Sequence, residues 1–321
     1  MYLGKISSRI KIIAALLRPK TLFLSLLGSS LASTQAYYEE KASLQIFLLT
    51  CLCATLLQAL SNIANDLGDT QHGADNPQRK GPIRPLQKNI ISYFGVLVLG
   101  IFIFSGALGS GIYLLYLSLG MGLDSWIFFG FGCLALMAAI KYTYGKNPYG
   151  YRAWGDPAVF IFFGPLLVGG GYFLHTQSLS TWILIEACLY GILCVWVLHA
   201  NNLRDLFTDR RAKKITCAVR LGPKASMIYY LILAWITMMG FPILHVLFMI
   251  YKANTPLTPH LALGHLVLGS ILLYLVYPPR RIIAFLIHLE SPKTLPRILR
   301  VLSVNVSYFI LCNLLKGGGI A

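Results

Sequence analysis

The chain has 321 residues, of which 56% are hydrophobic and only 12% charged, with a mean hydropathy of +0.67 and a formal net charge of +16. A soluble domain carries about 25% charge, so this composition cannot clothe a water-facing surface. It excludes soluble enzymes, β-barrels, secreted disulfide scaffolds and disordered chains, and leaves an all-α, polytopic membrane bundle in which residues 1–321 form one transmembrane domain.

The opening residues do not read as a signal peptide. The apolar stretch 12–17 is short, and Arg18-Pro19-Lys20 follows it with no small-residue cleavage site. A membrane helix needs about 20 mostly apolar residues. That length predicts nine spans, at 19–37, 45–66, 91–119, 124–144, 155–174, 181–202, 226–250, 261–278 and 299–316. If the N-terminus is cytoplasmic, the inner loops should hold the Lys and Arg. On this count only Lys41, Lys252 and Lys316 of the 27 Lys and Arg fall on the outer side. The positive charge is therefore a property of the cytoplasmic face of an inner (plasma) membrane, and no nucleic-acid partner is implied. The seven cysteines, all but Cys217 within apolar runs, read as small buried hydrophobes. The histidines show no ligand spacing.

The acidic residues are sparse and uneven. Glu39, Glu40 and Asp124 lie on the outer side, whereas Asp66, Asp69, Asp75, Asp156, Asp205 and Asp209 gather at cytoplasmic ends of spans or just beyond. At the end of the second span, Asn62, Asn65, Asp66 and Asp69 are spaced i, i+3, i+4 and i+7, one face of a helix. At the end of the sixth, Asn202, Asp205 and Asp209 are spaced i, i+3 and i+7. A single Asp at a span end reads as a cap. Two matching stripes on one side of the membrane read as function, because polar groups near lipid are costly. Crowded carboxylates repel unless a cation sits between them, and hard oxygen donors suit Mg²⁺, which binds through a few carboxylates and substrate phosphates.

Basic residues follow both stripes: Arg79, Lys80, Arg84 and Lys88 after the first, and Arg210, Arg211, Lys213, Lys214 and Arg220 after the second. Mg²⁺ held by Asp, with Lys and Arg beside it, stabilises charge on a departing phosphate. The same cations also serve as membrane anchors.

With these motifs the sequence resembles the UbiA superfamily of intramembrane prenyltransferases, and within it the 1,4-dihydroxy-2-naphthoate polyprenyltransferases of menaquinone synthesis. Three stretches carry the likeness: SNIANDLGDTQHGADNPQRKGPIRPLQKN at 61–89, KYTYGKNPYGYRAWGDPAVFIFFGP at 141–165, and NNLRDLFTDRRAKKITCAVRLG at 201–222. The resemblance implies a bundle of about nine helices and Mg²⁺-dependent transfer of a polyprenyl group from polyprenyl diphosphate to 1,4-dihydroxy-2-naphthoate. Decarboxylation would accompany transfer and give demethylmenaquinone. An acceptor such as 4-hydroxybenzoate is the alternative. It implies that Asn65, Asp66, Asp69, Asp205 and Asp209 hold Mg²⁺ on the diphosphate, with the four Asp as ligands and Asn62 and Asn202 beside them. Arg79, Arg84 and Lys214 would bind the diphosphate, and Tyr142 would lie near the reacting centre. Lys213 stands where the family usually has Gly, which leaves open which of Lys213 and Lys214 reaches phosphate. Lys141 or Arg152, in the loop that leads to Asp156, could hold the acceptor's carboxylate. The prenyl chain would lie toward membrane lipid.

A transporter is the rival from another class. The carboxylates gather at one membrane face and not at the midplane where transporters bind. In a cysteine-free background, Gln78→Cys should react with an impermeant thiol reagent only from the cytoplasmic side. Labelling from the outer side would refute the topology.

Overall fold

A computed structural model describes residues 12–74 and 84–252, and the predicted spans 261–278 and 299–316, with Asp75 and Arg79, lie outside the described residues. Residues 12–17 are helical, and Arg18 then turns through the left-handed region (φ 53°) into α1 (Pro19–Tyr38), where Pro at the first turn needs no N–H partner. After it come α2 (Leu44–Gln71), α3 (Tyr93–Leu119), α4 (Leu123–Lys141), α5 (Gly155–Thr176), α6 (Thr181–Arg204), α7 (Leu206–Arg211) and α8 (Cys217–Lys252). Ser43, Ser92 and Ser180 cap α2, α3 and α6, each accepting a first-turn backbone N–H. Six of these helices are long and apolar enough to cross a membrane, α1 and α7 being the exceptions. Outward apolar side chains such as Phe102, 76% exposed, suit lipid and not water.

Apolar packing falls into two main cores. One joins α1, α5, α6 and α8 around Leu31, Tyr172, Tyr190 and Phe241. The other joins α2, α3, α4 and residues 12–17 around Leu16, Ile63, Val96 and Leu136. The seven predicted spans within the described residues correspond to helices with shifted ends, and two departures matter. First, α2 continues through Gln71, so the whole first stripe is helical. Second, α6 stops at Arg204 and α7 starts at Leu206, with Asp205 (φ −92°, ψ 6°) between them. The second stripe therefore bends and does not follow one helix. In α5, Phe162–Gly169 widens into π-helix around Pro165, whose missing N–H disturbs the regular ladder. In α8 the chain breaks at Gly222 (φ 75°) before Pro223.

Two glycine contacts bring the site's elements together. A Cβ on Gly164 would lie 2.5 Å from the Ala187 carbonyl oxygen, so α5 and α6 touch backbone to backbone. A Cβ on Gly68 would lie 2.3 Å from the Thr143 carbonyl oxygen, and the Thr143 hydroxyl donates to Ala64 O at 3.1 Å. The loop carrying Tyr142 is thereby pressed onto the end of α2. Gly68→Ala should cost about 1–3 kcal/mol by overpacking and lower the melting temperature in detergent. Gly130→Ala, which meets nothing within 4 Å, should not.

Candidate active site

Asp66 and Asp69 sit one turn apart on α2, 0% and 2% exposed. Two buried carboxylates so close need positive partners, and three segments provide them. Arg18, from the start of α1, ion-pairs with Asp66. Arg84 Nη1 lies 3.1 Å from both Asp66 Oδ1 and Asp69 Oδ2, and donates at 3.3 Å to the Asn65 carbonyl oxygen. Lys214 Nζ donates to both oxygens of Asp69, at 3.0 and 3.1 Å. The Tyr151 hydroxyl adds a hydrogen bond to Asp69 Oδ1 at 2.8 Å. Burial first, and then the Asp69 carboxylate, pushes the Tyr151 phenol far above its ordinary range, so it stays a donor.

Tyr151 and Lys214 reach Asp69 together because their loops are tied by backbone. Ala153 N–H donates to Ile215 O at 2.7 Å, and Ile215 N–H donates to Tyr151 O at 3.2 Å. This pairing sets Lys214 Nζ 5.2 Å above the Tyr151 ring, a cation–π contact.

The second cluster faces the same space. Asp205 accepts from Arg204 Nε at 2.9 Å and ion-pairs with its Nη2, while Arg204 Nη1 reaches Asn201 Oδ1 at 3.2 Å. Asp209 is buried on α7, and its carbonyl accepts the Lys214 N–H at 2.9 Å. Asn62, Asn65, Asp69, Arg84, Tyr142, Asn202, Asp205, Asp209 and Lys214 all line one cavity of about 640 Å³, together with Arg18 and Arg204. Its other walls include Leu57, Leu115, Phe128, Phe162, Leu166 and Leu174. Thr50 also lines it, and helical rise separates Thr50 from Asp69 by roughly 28 Å along α2. The cavity is thus polar at one end and apolar through most of a membrane's thickness.

Every sequence-predicted site residue except Arg79 falls within the described residues. Asn62 Nδ2 donates to Leu17 O at 2.7 Å and to Thr21 Oγ1 at 2.9 Å, so it also anchors the segment that delivers Arg18. Tyr142 packs edge-on against Tyr149, with ring centroids 5.4 Å apart, and against Gly150 and Gly155. Burial, and then Tyr149 and Asp156, keep its phenol protonated. Lys214 is buried in the site, whereas Lys213 is exposed and its backbone is left-handed (φ 56°), a conformation glycine adopts most easily. Lys141 and Arg152 are exposed and line no part of the cavity. Arg18, Tyr151 and Arg204 were not singled out from the sequence. The first and third look like membrane anchors there, and Tyr151 carries no charge to mark it.

Residues 22–289 match the UbiA prenyltransferase family. The 1,4-dihydroxy-2-naphthoate octaprenyltransferase of Haemophilus influenzae is 42% identical over 218 residues, 67% of this chain and 71% of that protein. The Escherichia coli protein of the same name is 37% identical over 214 residues, covering 67% and 70%. A UbiA homolog from Archaeoglobus fulgidus, solved with GPP and Mg²⁺, shares the fold with a TM-score of 0.60 at 16% identity, over 94% of this chain and 98% of that one.

The site's charge network sets the order of two substitutions. Lys214→Met strips a buried cation from Asp69 and should cost about 3 kcal/mol or more. Tyr151→Phe removes one hydrogen bond and should cost about 1 kcal/mol. Thermal unfolding in detergent should show the larger fall for Lys214→Met.

Proposed function

The chain belongs to the UbiA prenyltransferase family, and from that premise we propose that it transfers a polyprenyl group from polyprenyl diphosphate to 1,4-dihydroxy-2-naphthoate. The observation that carries this reading is the meeting of both Asp stripes with buried Arg84 and Lys214 at the polar end of one long apolar cavity. The names of the bacterial relatives support the naphthoate as acceptor.

The donor set fits Mg²⁺. Asp66 Oδ2 and Asn65 Oδ1 are buried without a hydrogen-bond partner among the described residues, and both are hard oxygen donors. Asp66, Asp69, Asp205 and Asp209 would hold the metal, which supplies neutralisation of the diphosphate so that the allylic C–O bond can ionise. Arg84 and Lys214 bind the leaving diphosphate oxygens. The apolar walls exclude water, so the allylic cation meets the acceptor and not solvent. The electron-rich ring attacks through carbon, forming the new C–C bond. The carboxylate leaves as CO₂, and its bonding electrons restore the aromatic ring, giving reduced demethylmenaquinone. Tyr142, held neutral, serves as a hydrogen-bond donor and aromatic face beside this centre. No covalent enzyme intermediate is required. The concentration of Lys and Arg in the predicted inner loops supports an active site that opens to the cytoplasm.

Purified enzyme should be incubated with Mg²⁺, a polyprenyl diphosphate, and the naphthoate and 4-hydroxybenzoate together, with products identified by mass. The prenylated, decarboxylated naphthoate is expected, and a hydroxybenzoate product in its place would overturn the acceptor. Asp66→Ala and Asp205→Ala should each lower turnover by at least about 100-fold in protein that still elutes as a folded species. Full activity in EDTA would refute the metal's role.

A further inference from the structure

Beside Gly155, which packs against Tyr142, three side chains that line no part of the cavity converge from three helices. They are Asp156 on α5, His199 on α6 and Cys217 at the start of α8. Their ligand atoms all lie within 4.8 Å of one another. Asp156 and His199 are 5% and 0% exposed.

The hydrogen bonding here is incomplete in a specific way. His199 Nε2 lies 3.1 Å from the Ser226 carbonyl oxygen and 2.8 Å from the Ser226 hydroxyl oxygen, and in the tautomer with the proton on Nε2 it donates to the carbonyl. In a neutral imidazole Nδ1 then presents a lone pair, and it faces Asp156 Oδ2, another acceptor, at 3.5 Å. Neither oxygen of Asp156, nor His199 Nδ1, has a hydrogen-bond partner among the described residues. The Cys217 thiol and the Tyr229 hydroxyl are donors that interact weakly with the same carboxylate. Two buried acceptors aimed at each other are unfavourable unless a proton or a metal cation lies between them.

The spacing tells which cation. With bonds of about 2.0–2.2 Å to N and O, the edge of a tetrahedron around zinc is about 3.4 Å, close to the His–Asp separation. Imidazole and thiolate beside one carboxylate favour a borderline transition metal over Mg²⁺. The Ser226 carbonyl supplies the outer hydrogen bond that fixes a metal-binding histidine's tautomer. We propose that Asp156, His199 and Cys217 form a second metal site, for Zn²⁺ or a similar divalent ion, separate from the diphosphate site. The ion clamps α5, α6 and α8 together, and its binding displaces the thiol proton to solvent.

Cobalt(II) is the probe, because a cobalt–thiolate bond absorbs in the near ultraviolet and tetrahedral cobalt absorbs strongly in the visible. The full chain, stripped with chelator in detergent, should gain both bands at one Co²⁺ per chain, and excess Mg²⁺ should leave them in place. Cys217→Ser should lose the thiolate band. Cys188→Ser, altering an exposed cysteine farther along α6, should keep it. Zn²⁺ should raise the melting temperature of the parent chain and of Cys188→Ser but not of Cys217→Ser. Asp156→Asn, which keeps the side chain's shape, should bind Co²⁺ at least tenfold more weakly. No thiolate band in the parent chain, or a band that survives Cys217→Ser, would overturn the proposal.

Discussion

The buried carboxylate pair of Asp66 and Asp69 is the constraint on which the site is built. An ionised carboxylate without compensation costs several kcal/mol in a protein interior, and here two lie one helical turn apart. No single neighbouring helix supplies enough positive charge. The cations come from the start of α1, from the segment before α3 and from the loop between α7 and α8. Each delivery has a visible cause. Left-handed Arg18 precedes Pro19, Asn62 holds the preceding turn, and the 151–153 backbone pins the loop that carries Lys214. Much of this end of the fold is the apparatus that brings these cations to α2.

The second carboxylate cluster answers a geometric need. If α6 and α7 were one straight helix, the residues beyond Asp205 would continue along the axis of α6. The break at Asp205 redirects the chain, and both Asp205 and Asp209 still line the cavity. The close backbone contact at Gly164 keeps α6 against α5, and the redirected segment lines the same cavity as α2. The three residues of the stripe thus still line one cavity although the regular helix that suggested it is not present.

What could be read from the chain was whatever depends on local pattern. The length of apolar runs gave the helices, and the i, i+3, i+4, i+7 spacing gave the first carboxylate face. Arg18 stayed hidden because its partner Asp66 is 48 positions away, and in sequence it matches any interfacial anchor. The choice between Lys213 and Lys214 turns on a backbone angle, since the left-handed residue points outward and its neighbour inward. Lys141 and Arg152 have the right charge and the right loop, yet burial decides what a charge can touch, and both are exposed. The histidines looked scattered because ligand spacing is a local test, whereas His199 meets residues 43 positions before it and 18 after it only through the packing of three helices.

The charge balance of the site constrains what it can accept. Among the described residues, Asp66, Asp69, Asp205 and Asp209 face Arg18, Arg84, Arg204 and Lys214, and Lys20 also lines the cavity, so the carboxylates and cations nearly balance before any ligand arrives. A bare diphosphate would bring uncompensated negative charge into a space walled by apolar side chains, where charge is poorly screened. A divalent cation alone would bring the opposite excess. A diphosphate together with its divalent cation adds little net charge, and it offers each half of the network a new partner. Carboxylates can then turn from arginine and lysine to metal, and the freed guanidinium and ammonium groups to phosphate oxygens. On the proposed function, the ion pairs formed within the protein stand in for the arrangement that a metal–diphosphate pair would complete. Such a site favours the metal–diphosphate pair over either component because of its own near-neutrality, and needs no contact to the prenyl chain to do so.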